Sequence, residues 1–169
     1  MIEEKVVAEL KKRNFKITTA ESCTGGMIAS TIVNISGASD VLEEGYITYS
    51  NEAKKKLLGV QSEILEQYGP VSAQVAEQMA KGAALAAGAD AALSATGIAG
   101  PGGGTEDLPV GIVYIGCYLS GRTVVAENIF KGSRTEVREQ ATKAALMLLL
   151  ECMEEMFGTK EGAEKGKYE

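Results

Sequence analysis

Histidine is missing altogether from this chain, and that one absence removes several kinds of chemistry. A Ser-His-Asp triad, a Cys-His dyad and a histidine-based zinc site all need an imidazole. Any general base must be Lys, Tyr, Asp or Glu, and a nucleophilic serine would look to a lysine of lowered pKa as its activator. Cysteine is scarce as well: Cys23, Cys117 and Cys152 show neither close pairing nor metal-ligand spacing. Their odd number rules out a complete set of disulfides within one chain. Basic residues are outnumbered, 17 Lys and Arg against 23 Asp and Glu, for a net charge of −6. That balance argues against a general nucleic-acid surface, which needs concentrated Lys and Arg. No apolar run approaches the roughly 20 residues of a membrane span, and charged residues from Glu3 onward do not resemble a signal peptide. The expectation is a cytoplasmic protein with no membrane and no nucleic-acid partner.

What is present fits one domain of α/β type. A chain of 169 residues that is 45% apolar can bury a hydrophobic core of ordinary size. Val6, Val7 and Leu10 predict a helix over 3–13, with Lys11 to Arg13 suiting its C-terminal end. A short strand at 17–20 runs into a turn and a helix expected from about 23 towards 34. Residues 45–49 (GYITY) are β-branched and aromatic and predict a second strand. Helices follow at 52–58, capped by Ser50 or Asn51, at 62–67, and from Ser72 to about 87 with a stripe of Val75, Met79 and Ala83. Residues 91–95 make a compact apolar strand closed by Thr96. A glycine-rich loop at 97–109 leads to a strand at 110–119, apolar on both faces and so expected at the centre of the sheet. Ser120-Gly121 turns into a strand at 123–130. Ser133 and Glu136 have capping-box spacing before a last helix whose Val137, Ala141, Ala144, Leu148, Cys152 and Met156 form the expected apolar stripe. The hairpin makes the sheet mixed. The domain is expected over 1–157, with a charged, frayed tail at 158–169.

Four places could carry chemistry. In the stretch KITTAESCTGGMI, a strand, a small-residue turn and a helix start place the Ser22 hydroxyl among free backbone N–H groups. That suits a nucleophile beside an oxyanion hole or a phosphate cradle, while the ordinary alternative is that Ser22 or Thr24 caps the helix. In YSNEAK, Lys54 falls in a first helical turn beside Lys55 and Lys56, and both features lower a lysine pKa, as would burial beside Tyr49. A solvated lysine run is the plain alternative. The glycines of 97–104 could wrap an anionic or planar ligand, though they form neither a Walker motif nor a Rossmann fingerprint. Arg134 and Arg138, one helical turn apart, could clamp a phosphate or carboxylate, or simply pair with Glu136 and Glu139.

TTAESCTGG, GYITYSNEAK and SATGIAGPGGGTEDLPVG, in that order, resemble the C-terminal domain of the CinA family, which includes stand-alone nicotinamide mononucleotide deamidases of the PncC type. The likeness spans residues 3–155. It implies a three-layer α/β/α single domain with a mixed, mostly parallel sheet. It also implies an amidohydrolase that turns nicotinamide mononucleotide and water into nicotinate mononucleotide and ammonia, a step of pyridine nucleotide salvage. Carried over by motif, the resemblance implies a catalytic set of Ser22, Lys54 and an assisting Tyr49, with no metal and no organic cofactor. Candidate substrate contacts are Cys23, Thr24, Gly25 and Gly26 of the turn, Thr96, Gly97, Gly100 and Gly103 of the loop, and Arg134 and Arg138. The chain departs from the family pattern at Gly102, usually Asp, and at Ser133, often Asp. The N-terminal nucleotide-pyrophosphatase-like domain of longer CinA proteins is not within this sequence. Two other readings stand beside this one: a nucleotide-binding module without turnover, and a Ser-Lys amidase for another small amide. The expected partner is a small nucleotide, with homo-oligomerisation left open.

Overall fold

The computed structural model describes residues 1–158, so all of the expected tail except Gly158 lies outside the described residues. The first helix, α1 (Ile2–Arg13), has acidic residues in its first turn and basic ones in its last, and Asn14 ends it in the left-handed conformation. It buries Val6, Val7 and Leu10. Strand β1 (Ile17–Glu21) is buried along its whole length. The next helix, α2, is Met27–Val33, four residues later than the expected start. The reason is local: Gly25 and Gly26 hold φ of 58° and 101°, values that no right-handed helix contains and that glycine adopts without penalty. Strand β2 (Tyr46–Ile47) is only two residues long. Helices α3 (Asn51–Leu58), α4 (Ser62–Tyr68) and α5 (Ala73–Ala87) follow, then strands β3 (Ala91–Gly97), β4 (Ile112–Leu119) and β5 (Arg122–Ile129), and the long α6 (Arg134–Phe157). Ser133 and Glu136 make the expected capping box at α6.

The five strands form one sheet in the order β2-β1-β3-β4-β5. Strand β1 is parallel to both β2 and β3, whereas β4 is antiparallel to β3 and to β5. Only two of the four neighbouring pairs are therefore parallel, which corrects the expectation of a mostly parallel sheet. The cause is β4: it alone runs against the other four strands, and its place between β3 and β5 makes both of its pairings antiparallel. A two-residue turn, Ser120-Gly121, with φ of 47° and 91°, can join β4 to β5 only in that sense.

Helices lie on both faces. On one, α1, α2 and α6 pack against Ile17, Leu93, Val113 and Ile115; on the other, α3, α4 and α5 pack against Ala20 and Ala92. In α6 the fully buried line is Val137, Ala141, Ala145, Leu149 and Met153, joined by Leu146. The expected Ala144, Leu148, Cys152 and Met156 are only partly buried, so the contact face is rotated from the one predicted. Two glycines permit the close approach on the α5 side. A Cβ on Gly116 of β4 would meet the Ala76 carbonyl oxygen at 2.6 Å, and one on Gly82 of α5 would collide with the Leu58 carbonyl of α3.

Candidate active site

Four of the five strands run the same way, and the segments leaving their carboxyl ends meet at one edge of the sheet, where ligand sites of open α/β sheets form. These segments are Ser22 after β1, residues 48–54 after β2, the 98–111 loop after β3, and the first turns of α6 after β5. Ser22 is pinned through its backbone. Its N–H donates to the Ala95 carbonyl at 2.9 Å, while the preceding Glu21 carbonyl accepts the Thr48 N–H at 2.8 Å. The end of β1 is thus stitched to both neighbouring strands, and the Ser22 hydroxyl has a fixed origin.

Lys54 reaches that hydroxyl from α3. Ser50 caps α3 by accepting the Ala53 N–H at 3.1 Å, which places Lys54 in the opening turn. Its side chain is 1% exposed. The Nζ lies 3.2 Å from Ser22 Oγ and donates to the Thr48 carbonyl at 2.9 Å. No carboxylate is paired with it among the described residues. Burial holds the Lys54 pKa below the ordinary lysine value, opposed weakly by the Cys23 thiol. The flanking lysines play no part in that shift, contrary to expectation: Lys55 turns to Glu52 at 2.6 Å and Lys56 faces solvent.

Neither Ser22 nor Thr24 caps α2. Glu21 does so from the preceding position, with its carboxylate fully buried and accepting the N–H groups of Ile28 at 2.8 Å and Ala29 at 3.0 Å. A negative charge on first-turn N–H groups is the favourable arrangement. It also means that those N–H groups are already taken, which weakens the phosphate-cradle reading of this turn. The sequence signal was available: an acid stands between the strand and the helix start, next to the serine. Among the turn residues, the Gly25 N–H donates to the Ser22 carbonyl at 3.1 Å, whereas those of Cys23 and Thr24 have no hydrogen-bond partner among the described residues. The Cys23 thiol is pushed up to about 11 by burial, opposed first by its own backbone N–H and then by Arg138. It is therefore a neutral thiol near pH 7 and a poor competitor of Ser22.

The two arginines of α6 have separate tasks. Arg138 donates through Nε to the Cys23 carbonyl at 2.9 Å and through Nη2 to the Thr24 carbonyl at 3.0 Å. Arg134 donates to the Gly100 carbonyl at 3.0 Å and to the Tyr49 hydroxyl at 3.1 Å. Neither has a carboxylate partner among the described residues, so the alternative of an ordinary ion pair with Glu136 or Glu139 is not met there. Tyr49 is 62% exposed and has no hydrogen bond to Ser22 or Lys54 among the described residues. Its ring therefore does not bury Lys54 as expected. The Thr96 hydroxyl is turned away, donating to the Pro70 carbonyl at 2.7 Å. A Cβ at Gly97 would meet the Ile112 carbonyl at 2.5 Å, so strand packing alone demands that glycine. Gly100 and Gly103 hold left-handed φ of 85° and 87° that shape the loop, while a side chain at Gly102 would meet nothing within 4 Å.

The same chain pattern and fold recur in known proteins. Residues 1–153 match the CinA C-terminal domain. A CinA-like protein of Kosmotoga olearia is 52% identical over 145 residues, which are 86% of this chain and 35% of that protein. The chain thus spans about a third of the length of the curated relatives it matches. Among solved structures, a competence/damage inducible protein CihA from Agrobacterium tumefaciens is 39% identical, with a TM-score of 0.86 covering 89% of this chain and 92% of that one. A competence-damaged protein (CinA) superfamily protein from Escherichia coli is 35% identical, with a TM-score of 0.85 and 90% of each chain covered. With nearly its full length matched in both sequence and fold, this chain belongs to the CinA C-terminal domain family.

Proposed function

We propose that the chain is a nicotinamide mononucleotide amidohydrolase working through a Ser22–Lys54 pair. The observation that carries the reading is a lysine amine, 1% exposed and with no carboxylate partner among the described residues, 3.2 Å from a serine hydroxyl. Burial favours its neutral form, and a neutral amine accepts a proton. In the proposed cycle Nζ takes the Ser22 proton as Oγ attacks the carboxamide carbon, and the oxyanion forms against the Cys23 and Thr24 N–H groups. Lys54 returns the proton to the leaving nitrogen, and ammonia departs from a nicotinoyl ester on Ser22. Water, deprotonated by the same amine, then attacks the ester. The acyl C–Oγ bond breaks, nicotinate mononucleotide leaves, and Ser22 regains its hydrogen from the Lys54 amine that took it from water. The Thr48 carbonyl, 2.9 Å from Nζ, orients the amine throughout. Arg134, held among the described residues only by neutral oxygens, places a positive charge at the site's rim for the substrate phosphate, and Tyr49 sits beside it there.

The test is release of ammonia from nicotinamide mononucleotide, with nicotinate mononucleotide as the co-product. Equal amounts of both products support the reading. Binding without ammonia points to a nucleotide-binding module, and turnover of other small amides alone points to an amidase of different specificity.

A further inference from the structure

We infer that Arg138 is a positioning residue that aims the oxyanion donor of the Ser22 turn, and not a ligand of the substrate anion; the inference rests on the amidohydrolase reading. In a trans peptide the C=O of one residue and the N–H of the next share a plane and point in opposite directions. By holding the Cys23 carbonyl at 2.9 Å, Arg138 fixes the direction of the Thr24 N–H, one of the N–H groups of the turn left without a partner among the described residues. By holding the Thr24 carbonyl at 3.0 Å it fixes the next plane, whose Gly25 N–H closes the turn on the Ser22 carbonyl at 3.1 Å. Two donors of one planar guanidinium thus lock two consecutive peptides.

Local backbone preference does not hold this turn by itself. Gly25 and Gly26 have left-handed φ and no side chains, which leaves the chain there more conformations than other residues would. The Thr24 carbonyl also accepts the Met27 N–H at 3.1 Å, whereas the Cys23 carbonyl has Arg138 as its one partner among the described residues. Glu21 clamps the far side of the same segment through the Ile28 and Ala29 N–H groups. An anion on one side and a cation on the other therefore hold opposite poles of the peptide units around the serine. With both of these donors spent on carbonyls, Arg138 is poorly placed to meet a phosphate, whereas Arg134, one turn earlier, lies at the rim.

Arg138→Ala and Arg138→Lys test this. Lysine keeps the charge but cannot bridge two carbonyls with a planar fork. Loss of one oxyanion donor typically costs about 10²- to 10³-fold in kcat. Both variants are expected to lose kcat on nicotinamide mononucleotide in that range, with KM and the Kd for nicotinate mononucleotide, measured by calorimetry, within about threefold of wild type. A raised KM and weakened product binding with kcat kept would make Arg138 an anion ligand and overturn the inference. A lowered Tm with unchanged kcat would reduce it to a structural residue. Labelling of Ser22 by a fluorophosphonate separates this from failure of the amidase reading. If wild type labels but releases no ammonia, the amidase reading falls, and slower labelling of both variants still supports the inference. Equal labelling rates, or no labelling of wild type at all, overturn it.

Discussion

Ser22 has a hydroxyl whose one hydrogen-bond partner among the described residues is Lys54 Nζ, and it caps nothing. Ser22→Ala is therefore expected to leave Tm within a degree or two while lowering kcat by about 10³-fold or more. Melting and ammonia release on one sample check it, and retained turnover removes Ser22 as the nucleophile. Lys54 makes the opposite exchange between stability and activity. Its folded pKa is lowered by burial, so the unfolded chain binds the extra proton between that value and the ordinary lysine pKa of about 10.4. The stability it contributes is complete above the ordinary value and is lost as pH falls through that window. Lys54→Met is expected to abolish turnover, to raise the urea midpoint at pH 7, and to flatten the rise of stability towards pH 10. In wild type, kcat/KM should climb with pH through an apparent pKa below the ordinary lysine value. Lys54→Arg should be nearly as inactive as Lys54→Met, because guanidinium keeps its proton; substantial activity in the arginine variant excludes a base role.

Two elements depend on single residues for their placement. Helix α2 begins on a buried carboxylate, and replacing Glu21 by Gln leaves one amide oxygen for two N–H groups and turns an NH₂ towards them. Hydrogen bonds to a charged group contribute about 1.5–3 kcal/mol, so Glu21→Gln should lower stability by a comparable amount in urea denaturation. Because Glu21 adjoins Ser22, kcat should fall as well; a variant with wild-type stability would show that the cap is dispensable. Helix α3 carries Lys54 and crosses α5 where Gly82 faces the Leu58 carbonyl. Gly82→Ala adds one methyl group into backbone, for which overpacking costs about 1–3 kcal/mol. Since α3 must move to admit it, kcat is expected to drop even in fully folded protein at low temperature. Gly59→Ala meets no atom within 4 Å but puts a side chain at a φ of 67° at the end of α3, so it costs stability without a collision and is the comparison for kcat in folded protein.

Across the whole molecule the site is built from segments that are distant in sequence, Ser22, Lys54, Gly100 and Arg134, gathered by four strands pointing one way. The donor set offers no histidine and no clustered cysteines, and no group of acidic and cysteine side chains suited to a metal occurs among the described residues. The proposed proton transfer runs between Ser22 and Lys54 alone. Excess chelator is accordingly expected to leave ammonia release unchanged, and loss of activity restored by zinc or magnesium would contradict the proposed chemistry. Among the described residues no helix is long and apolar enough to cross a membrane.

The lack of histidine left lysine as an activator for a serine, and the resemblance carried by the three motifs pointed to Ser22 and Lys54 as candidates; the structure brings those two side chains within 3.2 Å. Periodicity likewise located α5, through Val75, Met79 and Ala83, and the capping box located the start of α6, since both signals arise within a few residues of chain. What sequence could not supply were the effects of distant partners. Lys54 owes its lowered pKa to burial against Thr48 and Ser22, not to the adjacent lysines that the sequence displays. Arg138 meets Cys23 and Thr24 more than a hundred residues away, so its role depends on α6 lying over the end of β1. The Thr96 hydroxyl, suggestive beside a glycine loop, is committed to Pro70. Local patterns determined which residues could react; packing decided which ones touch, because desolvation and hydrogen-bond geometry are fixed by neighbours in space.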